Sequence, residues 1–250
     1  THAEAITAVI DKLVSPDHGV VSSMSEIDAV GHRVLHGLDK FSGSVLVNDD
    51  VMAAIQEAVP FGPLHNPANM TGIRACQKVM GDDVPQVAVF DTAFHQTMPK
   101  KAYMYGIPYE YYQKYKIRRY GFHGTSHKYV SQRAADMLNV NSNDLKIITC
   151  HLGNGCSITA IKDGVCVDTS MGFTPLDGFI MGTRSGGVDP SALTYIASKE
   201  NITPDQMSDL LNKKSGLLGI SGVSSDNRDV SAAAVEGNHR AALANEIQRY

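Results

Sequence analysis

Short β-type runs alternate with amphipathic helical stretches along the first part of the chain. Apolar residues recur at helical spacing near the start, and later runs rich in Val and Ala are short enough to be strands. The Asn66-Pro67 pair supplies a helix cap and a proline at the first helical position. This alternation predicts an α/β layer fold. The predicted helices are 6–13, 49–59 and 66–80, and the predicted strands are 26–30 and 84–90.

The second part of the chain predicts a small meander followed by helices. Three apolar runs, 146–152, 157–161 and 165–168, follow one another closely. Asp163-Gly164, between the last two runs, is a strong two-residue hairpin signal. Helical patterns dominate from Ser191 to the last residues, and Thr203-Pro204 opens one of them. We place a domain boundary between residues 93 and 94.

Composition narrows the class of function. The 250 residues carry 22 basic and 26 acidic side chains, so no broad positive surface for nucleic acid or an anionic membrane is expected. Four scattered cysteines without CxxC spacing suit buried thiols in a reducing cytosol, with no disulfide. No apolar run reaches membrane-spanning length, and we expect a cytoplasmic protein that acts on small molecules. The absence of Met at residue 1 and the immediate first helix suggest truncated ends.

Two polar sites follow apolar runs, where open α/β sheets bind ligands. Asp91 comes directly after residues 87–90, and its carboxylate would orient Mg²⁺ or a water, or else cap the next helix. Arg33 lies in the glycine-flanked segment 31–37. Its guanidinium would bind a phosphoryl group through two parallel hydrogen bonds, or else form a surface ion pair.

The segment 120–127, Tyr-Gly-Phe-His-Gly-Thr-Ser-His, combines glycines with two histidines. The glycines allow a close backbone approach to a ligand, and Thr125 or Ser126 would cap a following helix. His123 would donate to a phosphoryl oxygen, whereas we interpret His127 as a structural residue facing the helix. The i,i+4 spacing of these two histidines, like that of His32 and His36, also permits a zinc site.

Two glycine-rich loops complete the candidates. Gly153-Asn154-Gly155 would place backbone N–H groups against phosphates if its glycines adopt positive φ. Arg184, in the loop 183–187, is a second arginine that looks buried in the sequence. In contrast, we interpret four basic residues as a solvated face without a role: Lys114, Lys116, Arg118 and Arg119.

Taken together, these motifs resemble the acetokinase family in content and order, over essentially the whole chain. That resemblance implies two ribonuclease-H-like (actin-type ATPase) domains with a nucleotide cleft between them, of which the N-terminal one, 1–93, is incomplete. The partial domain 94–250 would bind the nucleotide. The matching segments are 31–37, 63–67, 89–95, 120–127, 151–155, 169–176 and 214–219.

The resemblance also implies roles for individual residues. Asp91, His123, Arg184 and Arg33 match catalytic positions. Substrate-binding positions match Arg33, Leu35, His65, Leu64, Phe122 and Pro175. Nucleotide-binding positions match His151, Leu152, Gly153, Asn154, Gly155, Asp226, Asn227 and Arg228. No residue is assigned as a direct metal ligand, and Mg²⁺ is expected as the cofactor of ATP.

The implied reaction is reversible in-line phosphoryl transfer from ATP to acetate, giving acetyl phosphate and ADP, in a homodimer. Acetate is ionised at neutral pH and needs no base, so Asp91 would organise Mg²⁺ and its waters. Leu35 stands where a smaller valine is common, which predicts poorer use of propionate. Leu38-Asp39 replaces the family's usual Gly-Glu, and the family's N-terminal strands and C-terminal glutamate are missing. Alternatives are a propionate kinase, a zinc hydrolase and a non-catalytic nucleotide-binding fragment.

Overall fold

The computed structural model describes residues 2–81 and 83–250. The chain divides into two compact units, Thr1–Thr97 and Met98–Tyr250. The division lies a few residues beyond the predicted boundary at 93/94, and the functions predicted for the two parts stay predictions. Helices accompany a sheet in both units, so the predicted α/β class is confirmed. No helix in the described ranges is long and apolar enough to cross a membrane.

The first unit is built on a mixed three-stranded sheet with strand order β1-β3-β2. Strand β1 runs parallel to β3, and the short strand β2 pairs with β3 in the antiparallel direction. The strands are β1 (Val30–Val34), β2 (Val45–Leu46) and β3 (Gln86–Phe90). The helices are α1 (His2–Leu13), α2 (Asp49–Glu57) and α3 (Asn66–Met80), with 3-10 turns at Met24–Glu26, Val59–Phe61 and Ala93–Thr97.

The strand predicted at 26–30 is wrong. Glu26 ends a 3-10 turn, and β1 begins only at Val30. Residues 31–34, which were predicted to follow the strand, belong to it. They pair with β3 in the parallel direction, from Val30 opposite Gln86 to Val34 opposite Phe90. The burial alternates along β1 and leaves every second side chain toward solvent, which is how polar residues fit into the strand.

The core of the first unit lies between the sheet and helices α2 and α3. Val34 and Phe90 from the strands pack with Ile55 and Ile73 from the helices, and all are at most 1% exposed. The Phe41 ring stacks on Phe90 with centroids 4.4 Å apart. The core therefore fixes the ends of β1 and β3, from which the candidate residues project.

The second unit contains the predicted antiparallel meander, which is confirmed. Strands β4 (Lys146–Leu152), β5 (Cys156–Lys162) and β6 (Val165–Thr169) follow in order. Asp163 and Gly164 form the two-residue turn with φ of 55° and 75°, the left-handed pair that a tight hairpin requires. Helix α6 (Gly124–Leu138), in the unit's first half with α4 (Lys100–Tyr103) and α5 (Tyr109–Tyr115), packs on β4.

The predicted helical C-terminal part is also confirmed. A small apolar cluster of Leu217, Val230, Ala241 and Ala244 holds three of its helices together. The helices of this part are α7 (Pro190–Glu200), α8 (Pro204–Lys213), α9 (Gly216–Ser221), α10 (Asn227–Val235) and α11 (His239–Arg249). The four cysteines are all free thiols; Cys156 and Cys166 are buried, but Cys150 is exposed, contrary to the prediction of buried thiols, because it lies on the outward face of β4.

Candidate functional site

The first unit brings Arg33 and Asp91 together at the ends of two neighbouring strands. The backbone N–H of Asp91 donates to Val34 O at 3.0 Å, which extends the parallel pairing by one residue. Arg33 then donates from Nη2 to Asp91 Oδ2 at 2.6 Å and from Nε to Oδ1 at 3.1 Å. This two-point contact is the strongest geometry available to the two side chains. The predicted strand-end position of Asp91 is confirmed, and both its oxygens bond to Arg33 rather than capping a helix.

The two side chains of this pair differ in burial. The Asp91 side chain is 2% exposed and the Arg33 side chain 58% exposed. The impression from the sequence that Arg33 is buried is therefore wrong, because Arg33 occupies an outward position within β1. The hydrogen bond to Asp91 raises the pKa of Arg33. The unit thus presents a fixed carboxylate covered by a solvent-facing guanidinium.

The loop after β1 is held by side chains of α3 and of the turn after β3. The Asn66 side chain accepts from His36 N at 3.1 Å and donates to His36 O at 3.0 Å. The prediction that Asn66 caps α3 is therefore wrong, because Asn66 is already the first residue of that helix. Asn69 accepts from Leu35 N at 3.1 Å, and Thr92 accepts from Gly37 N at 3.2 Å. These bonds satisfy buried backbone groups that have no strand partner, so the loop is rigidly placed.

Leu38 keeps the conformation that a glycine would favour. Its φ is 54°, in the left-handed region, although its side chain is only 2% exposed. For a residue other than glycine this conformation costs about 1 kcal/mol. Gln96 Nε2 donates to Leu38 O at 3.1 Å and helps to hold it. Leucine in place of the family's usual glycine at this position therefore adds backbone strain to the loop.

The acetate-pocket residues predicted in the first unit differ in exposure. Leu35 is 4% exposed, and its Cδ2 lies 2.8 Å from where a Cβ on Gly62 would stand. Leu64 is 60% exposed, and His65, at the N-terminus of α3, is partly buried. Of these residues, only Leu35 contributes to the packed interior of this unit.

In the second unit, His123 lies at the start of α6 in a left-handed backbone conformation, with φ of 56°. Its Nδ1 lies 2.8 Å from Ser157 Oγ on β5. Its ring stacks on that of His151 on β4, with centroids 3.9 Å apart and planes 20° apart. His151 Nδ1 is in turn 2.9 Å from Ser126 Oγ. Side chains from the helix and two strands therefore fix the His123 ring.

His127 is a buried structural residue, as we interpreted it. It is 1% exposed, with Nδ1 at 2.7 Å from Thr149 Oγ1 and Nε2 at 2.7 Å from Ser157 Oγ. Burial, with a smaller effect from His151, lowers the pKa of His127 to about 4.

The same contacts speak against zinc. Both nitrogens of His127 already contact hydroxyl groups, so the ring offers no lone pair without breaking a buried hydrogen bond. His32 lies within β1 and bonds to Gln86, while His36 Nδ1 accepts from Leu38 N at 3.0 Å.

The helix-cap prediction for Thr125 and Ser126 is wrong as well, because α6 already begins at Gly124.

The loop between β4 and β5 brings His123 and Arg184 together. A Cβ on Gly155 would stand 3.0 Å from Arg184 Nη1 and 3.6 Å from His123 Nε2. Arg184 is partly buried, and its Nη1 donates to Pro175 O at 3.3 Å. Phe122, beside His123, is 0% exposed and packs in the interior of this unit. Glycine at 155 thus leaves room between a guanidinium and an imidazole.

The positive φ predicted for the glycines of this loop is wrong. Gly153 and Gly155 are both described and neither is among the residues at positive φ. Glycine suits these two positions because neighbouring atoms approach the backbone closely. A Cβ on Gly153 would lie 3.3 Å from Gly155 O. Gly182 N also donates to Asn154 O at 3.2 Å, so the loop is tied to the segment before Arg184.

A cavity of about 750 Å³ is lined in part by the same loop. Its lining includes Leu152, Gly153 and Asn154 from the loop and residues 226–228 from the start of α10. Asp226 caps α10 by accepting from Arg228 N at 2.8 Å, and the Arg228 side chain lowers the pKa of Asp226 to about 2. Six of the eight residues predicted to bind nucleotide therefore line one cavity, whereas His151 and Gly155 lie against His123.

Arg118 and Arg119 are not the solvated face that the sequence suggested. Arg118 is 4% exposed, and its guanidinium lies 3.6 Å from the Tyr103 ring centroid and 5.2 Å from that of Tyr120. Tyrosines interleaved with basic residues over 103–120 are the signal that could have indicated this stacking.

Arg119 holds the segment that precedes the Arg184 loop. Its Nη1 donates to the carbonyl oxygens of Thr169 and Ser170 at 3.0 Å and of Met171 at 3.1 Å, and lies 3.6 Å from Asp177 Oδ2. This segment carries Pro175, which accepts from Arg184. Arg119 is therefore a supporting residue that sequence reasoning missed.

Comparisons with known proteins agree on one family. The acetokinase family model matches residues 1–250. Curated acetate kinases of Desulfitobacterium hafniense and Thermoanaerobacterium thermosaccharolyticum are 63% and 62% identical over 98% and 100% of this chain. The chain spans only 61% and 62% of the lengths of these two relatives.

Solved structures are similar over nearly the whole chain. The structure of Porphyromonas gingivalis acetate kinase superposes with a TM-score of 0.93 at 49% identity, and that of a Francisella tularensis propionate kinase with 0.92 at 50%. Each comparison covers 99% of this chain and 62% of the other.

Proposed function

The chain belongs to the acetokinase family, and from that premise we propose that it is part of a kinase that transfers a phosphoryl group reversibly from ATP to acetate, giving acetyl phosphate and ADP. The observation that carries the proposal is the glycine loop 153–155. Gly153 and Asn154 line a cavity of about 750 Å³, large enough for a nucleotide. Gly155, next in the chain, faces Arg184 Nη1 and His123 Nε2.

This arrangement suits a nucleotide whose base and ribose lie in the cavity and whose phosphates cross the loop. Residues 226–228 would contact the adenosine, because they line the cavity and Gly155 does not. The γ-phosphate would then reach Arg184 and His123. Both are nitrogen donors, the groups that stabilise negative charge as it spreads over the equatorial phosphoryl oxygens in the transition state.

We assign the acceptor side to the first unit. Arg33 offers a guanidinium that is mostly in solvent, suited to holding a carboxylate or a phosphoryl oxygen. In this unit, Leu35 and Leu64 would contact the methyl group of acetate, and His65 would be a further substrate-binding residue. The role of Phe122 and Pro175, in the second unit, stays a prediction from the family resemblance. Acetate is already a carboxylate at neutral pH, so the reaction requires no general base and depends on positioning and electrostatics.

The residues present fit Mg²⁺ as the cofactor. A carboxylate has about four lone-pair positions, and Arg33 uses two of those of Asp91. Mg²⁺ in kinases is usually held by one or two carboxylates, waters and the substrate phosphates, and it would neutralise phosphate charge during transfer. Asp91 would hold its waters through the remaining positions. The described residues contain no group of three or more His, Cys, Asp or Glu side chains that could hold a metal by themselves.

Two further features belong to the same proposal. Resemblance to the family supports a homodimer. The small excess of acidic over basic side chains, 26 against 22, and the four free thiols support a cytoplasmic setting without a nucleic-acid or membrane partner.

A second candidate is a propionate kinase, because one structural neighbour at 50% identity carries that description. A third is a nucleotide-binding fragment without turnover, since the chain spans 61% of the length of its curated relatives. Nucleotide binding would survive in both, so binding alone does not separate them from the proposal.

Trapping of the acyl phosphate with hydroxylamine tests the proposal. The proposed kinase, with this chain as part of it, is supplied with ATP, Mg²⁺ and either acetate or propionate, and a full-length relative serves as the positive control. Acetohydroxamate formation supports acetate kinase activity, and preferential propionohydroxamate formation supports the second candidate. Calorimetric binding of ATP without either product supports the non-catalytic fragment. Absence of both binding and product contradicts all three.

A further inference from the structure

A chain of buried hydrogen bonds runs behind His123. Thr149 Oγ1 lies 2.7 Å from His127 Nδ1, His127 Nε2 lies 2.7 Å from Ser157 Oγ, and Ser157 Oγ lies 2.8 Å from His123 Nδ1. Thr149, His127 and Ser157 are at most 3% exposed. Each link joins a ring nitrogen to a hydroxyl group, so the position of one proton determines that of the next.

The inner end of the chain sets the direction of the protons. Among the described residues, His127 Nδ1 is the hydrogen-bond partner that the structure gives the Thr149 hydroxyl. If His127 carried its proton on Nδ1, the hydroxyl hydrogen of Thr149 would be buried without an acceptor, at a cost of about 1–3 kcal/mol. Thr149 therefore donates to Nδ1. A neutral His127 then carries its single proton on Nε2.

The remaining links follow from this first one. His127 Nε2–H donates to Ser157 Oγ, and the one hydrogen of that hydroxyl group is left to donate to His123 Nδ1. With Nδ1 accepting, neutral His123 carries its proton on Nε2. That nitrogen faces the space beside Gly155, where Arg184 Nη1 also lies.

We propose that Ser157, His127 and Thr149 are positioning residues that fix His123 as the Nε2-protonated tautomer, so that it donates to an acceptor oxygen beside Gly155. The proposal rests on the proposed function only for the identity of that oxygen, a phosphoryl oxygen of ATP. Hydrogen bonds to the far nitrogen are a common means of fixing an imidazole tautomer in functional sites.

Two other features hold the ring for this role. The left-handed φ of 56° at His123 is a strained conformation that persists only where neighbours enforce it. The ring of His151 stacks on it at 3.9 Å and is itself bonded to Ser126. The orientation of the His123 ring thus comes from stacking and from the backbone. Its tautomer comes from the chain of hydrogen bonds through Ser157, His127 and Thr149, which we call the relay.

Nitrogen NMR of the histidine side chains tests the tautomer directly, without requiring turnover. In the whole chain at neutral pH, long-range ¹H–¹⁵N correlation spectra distinguish a protonated ring nitrogen from an unprotonated one. We expect both His127 and His123 to be protonated on Nε2. In Ser157→Ala the hydroxyl that donates to His123 Nδ1 is removed, and the Nδ1-protonated form of His123 should appear.

Thr159→Val is the matched control. Thr159 lies two residues from Ser157 on β5, is 0% exposed, and bonds to Thr169 rather than to a histidine. This variant loses the same kind of buried hydroxyl and should leave both histidine tautomers unchanged. If Ser157→Ala does not fold, the tautomers of His127 and His123 in the wild type still give the answer.

The proposal is overturned if wild-type His127 or His123 is protonated on Nδ1, if folded Ser157→Ala keeps the wild-type His123 spectrum, or if Thr159→Val changes it equally. These outcomes are independent of the kinase assay. The predicted tautomers without acetohydroxamate formation would contradict only the proposed function, and acetohydroxamate formation with the opposite tautomers would contradict only the relay.

Discussion

The two units hold their candidate residues in different ways. In the first, one ion pair dominates: a buried Asp91 and an outward Arg33 joined by two hydrogen bonds. In the second, His123 is embedded in a network of neutral hydroxyl groups and rings, beside a partly buried Arg184. Charge thus fixes the first arrangement and directional hydrogen bonding fixes the second. The same substitution should therefore have different consequences in the two units.

The largest effect should come from the two arginines. We expect Arg33→Ala and Arg184→Ala each to lower turnover by at least about 10²-fold in the hydroxylamine assay, by analogy with the loss of a preorganised oxyanion donor. Only Arg33→Ala should also destabilise its unit, by about 1–3 kcal/mol, because it leaves the buried Asp91 carboxylate without its donor. Chemical denaturation checks this difference.

The double change Arg33→Ala with Asp91→Asn is the control for that difference. It removes the unpaired charge and should recover part of the stability but none of the turnover. Near-normal turnover in either folded arginine variant would contradict the assigned roles.

A smaller effect should appear in the pH dependence of stability. The pKa of His127 is about 4 when folded, against an ordinary value near 6.5, so the unfolded chain binds more protons between these values. The free energy of unfolding should therefore fall as pH is lowered from about 6.5 to about 4, by about 2–3 kcal/mol from this residue.

His127→Asn should flatten that part of the pH profile, measured by urea denaturation at several pH values. His18→Asn changes an exposed histidine and should leave the profile as in the wild type. A wild-type profile in His127→Asn would show that other groups cause the acid sensitivity.

A comparable or smaller effect is expected on the preference between acetate and propionate, which differ in size. Leu35 in place of valine should tighten the pocket. The kcat/KM for acetate should therefore exceed that for propionate, by a ratio that corresponds to about 1–3 kcal/mol of activation free energy. Leu35→Val should reduce the preference, and Leu46→Val, at an exposed position of β2, is the matched control. Equal use of the two acids by the wild type would refute the prediction.

The smallest effect concerns the strained loop of the first unit. Gly normally destabilises a site relative to Ala, but at Leu38, with φ of 54°, Leu38→Gly should be more stable than Leu38→Ala by about 1 kcal/mol. Both variants lose the buried side chain, so their difference isolates the backbone. The opposite order in thermal unfolding would contradict a left-handed conformation at this position.

Sequence reasoning succeeded where the signal is local. Hydrophobic periodicity located α3 and the meander, Asp163-Gly164 identified the hairpin, and the residue after β3 was correctly placed at a strand end. Residues 31–34 of β1 were missed because polar residues on the exposed face of a strand look like a loop.

Contacts between distant segments were beyond that reasoning. Ser157 and Thr149 are ordinary strand residues in the sequence, and only the packing of α6 on β4 brings them to His127. Arg119 looked solvated because its three carbonyl partners lie some fifty residues away. The role of such a residue becomes clear only from the residues that it contacts, and a sequence alone does not show which residues those are.

The unequal burial of Arg33 and Asp91 also sets a timescale. Exposed side chains change rotamer within picoseconds to nanoseconds, whereas a buried carboxylate is held by the surrounding packing. Because two hydrogen bonds join the pair, Arg33 changes rotamer only when both break together, and Asp91 stays in place while it does so. Movement of the guanidinium away from the carboxylate would then require no backbone movement.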